Sequence, residues 1–169
     1  MVLDVSDWAR GPAQDLADLR GSVVLIETFQ MLCPGCVSHG LPQAQRVHRA
    51  FPRDQVVVLG LHTVFEHHDV MGPDALDVFL SEYRIDFPVA IDPHDDGPIP
   101  RTMSRYGLRG TPSTLLVDRA GRLRHSFFGA LDDLALGAHL GHLLAEPPPS
   151  SDAISDQPAG TCEPGAGCT

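Results

Sequence analysis

Hydrophobic residues recur in short runs along the chain, separated by polar segments that are rich in Gly, Pro and Asp. Three apolar runs, at residues 23–29, 56–61 and 88–92, predict buried strands. Apolar residues at three- and four-residue steps predict amphipathic helices at 34–51, 74–84, 100–106 and 131–145. Between the last two helices, residues 113–118, a turn at 119–121 and a strand ending at Phe128 are typical of a β-hairpin. Strands that alternate with helices and end in a hairpin predict an α/β fold with a central mixed β-sheet flanked by helices.

Two segments of this pattern are irregular. Residues 1–22 contain no strong apolar run and are predicted to be an entry segment that closes in a polar turn. The helix at 34–51 contains Gly40 and Pro42, which predict a kink, because a proline inside a helix removes a hydrogen bond and clashes with the preceding turn.

Composition and charge limit the size of the domain and its possible partners. A chain of 169 residues with 43% hydrophobic residues is long enough for one domain with a core, predicted at 1–145. Residues 146–169 are rich in Pro, Ser and Gly and are predicted to be a disordered tail. A formal net charge of -10 argues against binding to nucleic acid or to anionic membranes. The absence of a signal-peptide pattern at the start and of a membrane-length apolar run predicts a cytoplasmic protein.

The central chemical motif is Cys33-Pro34-Gly35-Cys36, which follows the first apolar strand and begins a predicted helix. Two thiols at this spacing can close and reopen a disulfide, and the positive end of a helix favours the thiolate of the first cysteine. Pro34 suits the first helical turn, where its missing N–H is not needed. The alternative, half of a zinc knuckle, needs a second ligand pair and does not suit a strand–helix context.

Together with two further segments, this motif resembles the thioredoxin superfamily, most closely its TlpA/ResA-like and redoxin branch. The first segment is Asp18-Leu19-Arg20-Gly21-Ser22-Val23-Val24-Leu25 leading into the cysteines, and the second is the strand–helix insert from Val56 to Val89. The third runs from Tyr106 to Arg119 and contains Thr111-Pro112. The resemblance covers residues 15–145 and implies a thioredoxin fold that carries this insert.

The resemblance also implies the chemistry of the site. Cys33, at the exposed helix end, is the predicted nucleophile, and the more buried Cys36 is predicted to resolve the mixed disulfide. Pro112 is expected to be a cis-proline that faces them, so that Thr111 offers its backbone to an extended substrate. Pro34 is also expected to contact the substrate. Glu27 stands where thioredoxins carry a buried acid and is expected to accept the proton of Cys36.

The predicted function follows from these roles. The chain is expected to be a thiol–disulfide oxidoreductase that contributes to antioxidant activity and cell redox homeostasis. Its substrates would be protein disulfides, and a thiol reductant system would regenerate it. It is expected to act as a monomer and to need no cofactor beyond the redox-active Cys33–Cys36 disulfide.

Departures from the family pattern keep two other functions open. Leu32 replaces the Trp that usually precedes the first cysteine, and Pro34-Gly35 reverses the usual Gly-Pro. A thiol peroxidase is an alternative on the likeness of the insert, but Gln30 stands where peroxiredoxins need Thr or Ser.

The second alternative is a metal carrier. It would use the histidine-rich segment after the second strand, predicted to be a loop, with ligands from His62, His67, His68, Glu66 and Asp69. Loop histidines are more often solvated, and no metal site is predicted. Cys162 and Cys168 in the tail have three open interpretations: a redox relay to Cys33 and Cys36, an incidental tail, or a soft-metal clasp.

Overall fold

The computed structural model describes residues 1–147 of the chain, which form six strands and four α-helices. The strands are β1 (Asp7–Arg10), β2 (Val23–Phe29), β3 (Val56–His62), β4 (Val89–Ile91), β5 (Ser113–Val117) and β6 (Leu123–Phe128). The helices are α1 (Leu41–Ala50), α2 (Pro73–Glu82), α3 (Arg101–Arg105) and α4 (Asp133–Ala145). Two shorter helical turns, one π-helical at Cys36–Gly40 and one 3-10 at His68–Val70, complete the set.

The strands form a single mixed sheet in the order β1-β4-β3-β2-β5-β6. The pairs β2–β3 and β3–β4 are parallel, whereas β1–β4, β2–β5 and β5–β6 are antiparallel. Every residue of β2 is buried, as expected for a strand in the middle of a sheet that is covered on both faces. The predicted α/β fold with a central mixed sheet and a terminal hairpin is therefore confirmed.

Alternate residues of β2 supply the two faces of the sheet. Val23, Leu25 and Phe29 pack in a cluster with apolar side chains of α1, α2 and α4. Val24 and Ile26 pack on the opposite face with residues of the N-terminal segment and β5. Because Glu27 shares its face with Leu25 and Phe29, its carboxyl group points toward the helical layer that carries the cysteines.

The predicted entry segment was incomplete, since it contains strand β1. Trp8 pairs with Ala90 of β4, so this short strand forms the edge of the sheet. Its four residues, Asp7-Trp8-Ala9-Arg10, are partly exposed and show no apolar run that would identify a strand. The prediction missed β1 because an edge strand needs little hydrophobic surface.

The predicted helix at 34–51 is helical from Pro34 to Ala50, but it is not α-helical throughout. A π-helical turn at Cys36–Gly40 leads into α1, which begins at Leu41 and places Pro42 in its first turn. The Leu41 N–H donates to the Cys36 carbonyl five residues back. This wider turn falls directly before Pro42, which has no N–H to donate. At the position where Gly40 and Pro42 predict an irregularity, the helix type thus changes within one helical segment.

Ordered contacts continue just beyond the predicted domain end at residue 145. Glu146 Oε2 accepts a hydrogen bond from Arg124 at 2.7 Å, and the Glu146 carbonyl accepts one from Arg119 at 3.0 Å. The predicted disordered tail spans residues 146–169, and its residues 148–169 lie outside the part of the chain that the structure describes. No helix within residues 1–147 is long and apolar enough to cross a membrane.

Candidate active site

The Cys33-Pro34-Gly35-Cys36 motif lies directly after β2, where the chain turns into the helical layer. The Cys33 N–H donates to the Gln30 carbonyl at 3.2 Å, and the Val37 N–H donates to the Cys33 carbonyl at 3.1 Å. The Cys36 N–H points at Cys33 Sγ over 3.3 Å. A thiolate on Cys33 would therefore meet a backbone donor at the start of the helical segment.

The two thiols have different environments. Both are free, with Cys33 half-buried and Cys36 buried. Burial, together with the neighbouring Cys33 thiol, raises the pKa of Cys36 well above its usual range. Cys36 is therefore a protonated thiol at neutral pH, while Cys33 is the accessible sulfur. This is the arrangement that the sequence predicts for a nucleophile and a resolving cysteine.

The loop before β5 brings Thr111 and Pro112 against the cysteines. The Thr111–Pro112 peptide bond is cis, and Cys33 Sγ–H donates to the Thr111 carbonyl over 3.4 Å. A Cβ atom added to Gly35 would lie 3.1 Å from Pro112 Cδ. The reversed Pro34-Gly35 order thus puts the residue without a side chain against Pro112 and leaves Pro34 exposed.

Glu27 is a buried acid on the same face of the sheet as the cysteine layer. Its side chain is 1% exposed, and Oε2 accepts a hydrogen bond from Thr114 Oγ1 at 2.8 Å. Oε1 has no partner among the described residues. Burial raises the pKa of Glu27 to about 8, and the Thr114 hydrogen bond offsets only part of this rise. The carboxyl group therefore keeps its proton to a much higher pH than an exposed glutamate does.

Gly40, which the sequence marks only as a helix interruption, completes the packing around Glu27. A Cβ atom at this position would overlap Glu27 Oε1 and would lie 3.0 Å from Pro112 Cβ. The π-helical turn therefore passes over the carboxyl group and the cis-proline with no room for a side chain. A glycine four residues after Cys36 is the sequence signal that could have identified this contact.

Gln30 is a second residue whose role the sequence did not predict beyond its departure from the peroxiredoxin pattern. Its side chain is buried, and Oε1 accepts a hydrogen bond from the Phe65 N–H at 3.1 Å. Nε2 lies 3.5 Å from Glu66 Oε1. Since its carbonyl also binds the Cys33 N–H, Gln30 links the cysteine loop to the segment that follows β3.

The histidine-rich segment does not form the predicted loop throughout. His62 is the last residue of β3 and is buried beside Phe29, with 5.3 Å between their ring centroids. Burial lowers the pKa of His62 to about 4, so the imidazole is neutral at physiological pH. His67 and His68 are exposed at the following 3-10 turn.

The metal-carrier alternative gains no support from this arrangement. Within residues 1–147, no three side chains among His, Cys, Asp and Glu come together in a group that could hold a metal ion. Cys162 and Cys168 lie outside the described residues, and their suggested relay role stays a prediction.

Comparison with known proteins identifies the family. A model of the AhpC/TSA family matches residues 6–126. The chain belongs to the AhpC/TSA family. This match covers the cysteine motif, the insert and the Thr111-Pro112 segment, so the resemblance to the redoxin branch is confirmed.

Two curated relatives share the same region. The DipZ protein of Mycobacterium bovis is 28% identical over 131 residues, which make up 76% of this chain but only 18% of DipZ. The thiol-disulfide oxidoreductase ResA of Geobacillus thermodenitrificans is 23% identical over 132 residues, 77% of this chain and 68% of ResA. The chain thus spans less than a fifth of the length of DipZ.

Solved structures establish the fold. The crystal structure of a thiol-disulfide isomerase from Corynebacterium glutamicum is 55% identical, with a TM-score of 0.85 over 87% of this chain and 96% of that one. The crystal structure of a thioredoxin-like superfamily protein gives the same TM-score at 56% identity, over 88% of this chain and 97% of that one. The predicted thioredoxin fold is therefore confirmed.

Proposed function

We propose that this chain is a thiol–disulfide oxidoreductase that acts on protein disulfides through Cys33 and Cys36. One observation carries the proposal: an accessible thiol and a buried thiol lie three residues apart, and the accessible sulfur touches the carbonyl that precedes a cis-proline. The names of ResA and of the Corynebacterium glutamicum isomerase, both thiol–disulfide proteins, support it.

The reaction proceeds in two exchanges. The Cys33 thiolate attacks one sulfur of the substrate disulfide and forms a mixed disulfide, and the other substrate sulfur leaves as a thiolate. The Cys36 thiolate then attacks Cys33 Sγ, which releases the second substrate thiolate. The substrate gains two electrons, and Cys33 and Cys36 become a disulfide that an external thiol must reduce.

Proton transfer from Cys36 is the step for which the protein must provide a base. Cys36 is protonated at neutral pH because burial raises its pKa, so it must lose a proton before it can attack. We assign this proton to the ionised form of Glu27, on the support of its burial, its unpaired Oε1 and its pKa of about 8. This carboxylate is the minor form at neutral pH, so its share rises as the pH approaches 8. Thr111 contributes its carbonyl to the substrate side of Cys33, and Pro34 occupies the exposed rim of the site.

Trapping tests the assignment of the two cysteines. Full-length protein with Cys36→Ser should accumulate mixed disulfides with substrate on Cys33, whereas the matched Cys33→Ser variant should form none. Cys162 and Cys168 are replaced by Ser in both proteins, so that only the motif can react. Trapping through Cys36 in the Cys33→Ser protein, or none in either, would contradict the proposal.

The remaining functional expectations have different support. We do not propose the thiol peroxidase, because Gln30 replaces the required Thr or Ser and its amide binds the Phe65 N–H. A cytoplasmic location, a monomeric state and an external thiol reductant stay predictions from the sequence, as does a role in redox homeostasis.

A further inference from the structure

An exposed aromatic ring and a guanidinium group lie side by side at the edge of the candidate site. Phe128, the last residue of β6, is 51% exposed. The guanidinium carbon of Arg109 lies 5.2 Å from the centre of the Phe128 ring. This distance is within the range of a cation–π contact. We call the pair the Arg109–Phe128 platform.

The platform is fixed to the segment that faces Cys33. The Gly129 N–H, next to Phe128, donates to the Pro112 carbonyl at 2.9 Å. The Phe128 ring covers Gly110, where an added Cβ atom would lie 2.9 Å from the ring. Because Gly110 immediately precedes Thr111, a substrate that extends along Thr111 from Cys33 reaches the platform.

A cavity of about 390 Å³ opens beside the platform. Its lining combines apolar groups with small polar ones: Gly107, Leu108, Arg109, Ser113, Ser126, Phe127, Phe128, Ala130 and Leu131. Arg109 is the single charged side chain among these lining residues. Within residues 1–147 it forms no ion pair, whereas Arg105, on the preceding helix, is paired with Asp4. The cavity therefore presents an unneutralised positive charge beside apolar and small polar groups.

Such a surface fits one kind of group. A guanidinium that rests on a ring keeps its N–H edges open to a carboxylate, which it can bind through two parallel hydrogen bonds. The protein as a whole carries a formal net charge of -10, so a carboxylate is repelled by most of the surface and attracted at this site. A basic substrate segment would be attracted by the net negative charge of the protein but repelled by Arg109 at the cavity.

We propose that the Arg109–Phe128 platform is a specificity subsite that binds an acidic residue close to the reacting cysteine of the substrate. This inference rests on the proposed function, because it assumes that Cys33 attacks a peptide disulfide. It adds the substrate class: extended segments in which Asp or Glu lies near the cysteine, rather than segments of any sequence.

Two synthetic peptides that differ only in the charge of the residues on either side of the cysteine test this specificity. Both carry a cysteine activated as its 2-pyridyl disulfide, with either Glu or Gln at each position adjacent to the cysteine. Attack by Cys33 on the peptide sulfur releases pyridine-2-thione, whose absorbance gives the rate. The protein is the full chain with Cys162 and Cys168 replaced by Ser, and the quantity measured is the ratio of the Glu-peptide rate to the Gln-peptide rate.

We expect a ratio of about two to five, the size expected of an exposed ion pair, which should fall as salt is added. Arg109→Gln should bring the ratio to about one, and Arg109→Lys should retain part of the preference. Arg49→Gln is the matched control. It removes the same charge from a residue of α1 that is paired with Asp86, and the ratio should stay unchanged. A rate ratio of one in the protein that keeps Arg109, or a preference for the Glu peptide that survives Arg109→Gln, would contradict the subsite proposal. Neither result would contradict the proposed function. No thione release from either peptide would instead contradict the proposed function itself.

Discussion

Glu27 and Gly40 are in direct contact: the carboxyl group of one occupies the space that a side chain on the other would need. A Cβ atom at Gly40 would overlap Glu27 Oε1, and Pro112 Cβ lies on the other side of the same space at 3.0 Å. The buried acid, the helical turn that follows Cys36 and the cis-proline therefore share one contact. A change at Gly40 should act on all three.

Gly40→Ala tests this contact. We expect a loss of about 1–3 kcal/mol in the free energy of unfolding, because an added methyl group in a filled space forces its neighbours to move. Gly137→Ala in α4 is the matched control, since no atom lies within 4 Å of the added Cβ. That variant should gain about 0.5–1 kcal/mol, as alanine is the better helix former. Urea unfolding of both variants measures the difference, and equal effects would show that Gly40 is not tightly enclosed.

The raised pKa of Glu27 predicts a pH dependence of stability. The folded protein holds this carboxyl protonated up to about pH 8, whereas in the unfolded chain it ionises near its ordinary value of 4.5. Stability from this group is therefore fully present below pH 4.5 and is lost as the pH rises through 8, by at most about 1.4 kcal/mol per pH unit.

Glu27→Gln should flatten this dependence, because the amide cannot ionise. The free energy of unfolding of both proteins is measured between pH 5 and pH 9, and the difference between them should move in favour of Glu27→Gln up to about pH 8 and then level off. A difference that is constant across this range would show that the carboxyl is not held protonated. The same variant should slow the resolution of the mixed disulfide if Glu27 accepts the Cys36 proton.

Strands β2 to β6 and the cysteine motif were predictable because their signals are local. The apolar run at β2 and the Cys33–Cys36 spacing are written in consecutive residues. The contact of Gly40 with Glu27 was not predictable, because it joins residues 13 positions apart, and only packing brings them together. His62 shows the same limit, since its place in a histidine-rich segment suggests solvent exposure, while its strand register buries it beside Phe29.

Trp8 provides a test of the site's surroundings. It is the single tryptophan of the chain and lies in β1, with β4 and β3 between its strand and β2. Because quenching by sulfur requires close approach, oxidation of Cys33 and Cys36 should change its emission little. A Leu32→Trp variant, with the indole directly before Cys33, should instead show a clear change. Emission spectra of the reduced and oxidised proteins test this prediction. Strong quenching of Trp8 on oxidation would contradict it and would show that the structural change extends to the edge strand of the sheet.

Gln30 should hold the segment after β3 in place against the cysteine loop. Gln30→Ala removes the acceptor of the Phe65 N–H and leaves a half-buried donor without this partner, which should cost about 0.5–1.5 kcal/mol of the free energy of unfolding. Gln45→Ala is the matched control, since its amide donates to the Arg84 carbonyl at an exposed position and its loss should have a smaller effect.

Amide hydrogen exchange gives a local measurement of the same contact. The Phe65 amide should exchange faster in Gln30→Ala, while the Thr63 amide, which donates to the Phe29 carbonyl, should keep its protection. Unchanged exchange at Phe65 would show that Gln30 does not couple the two segments.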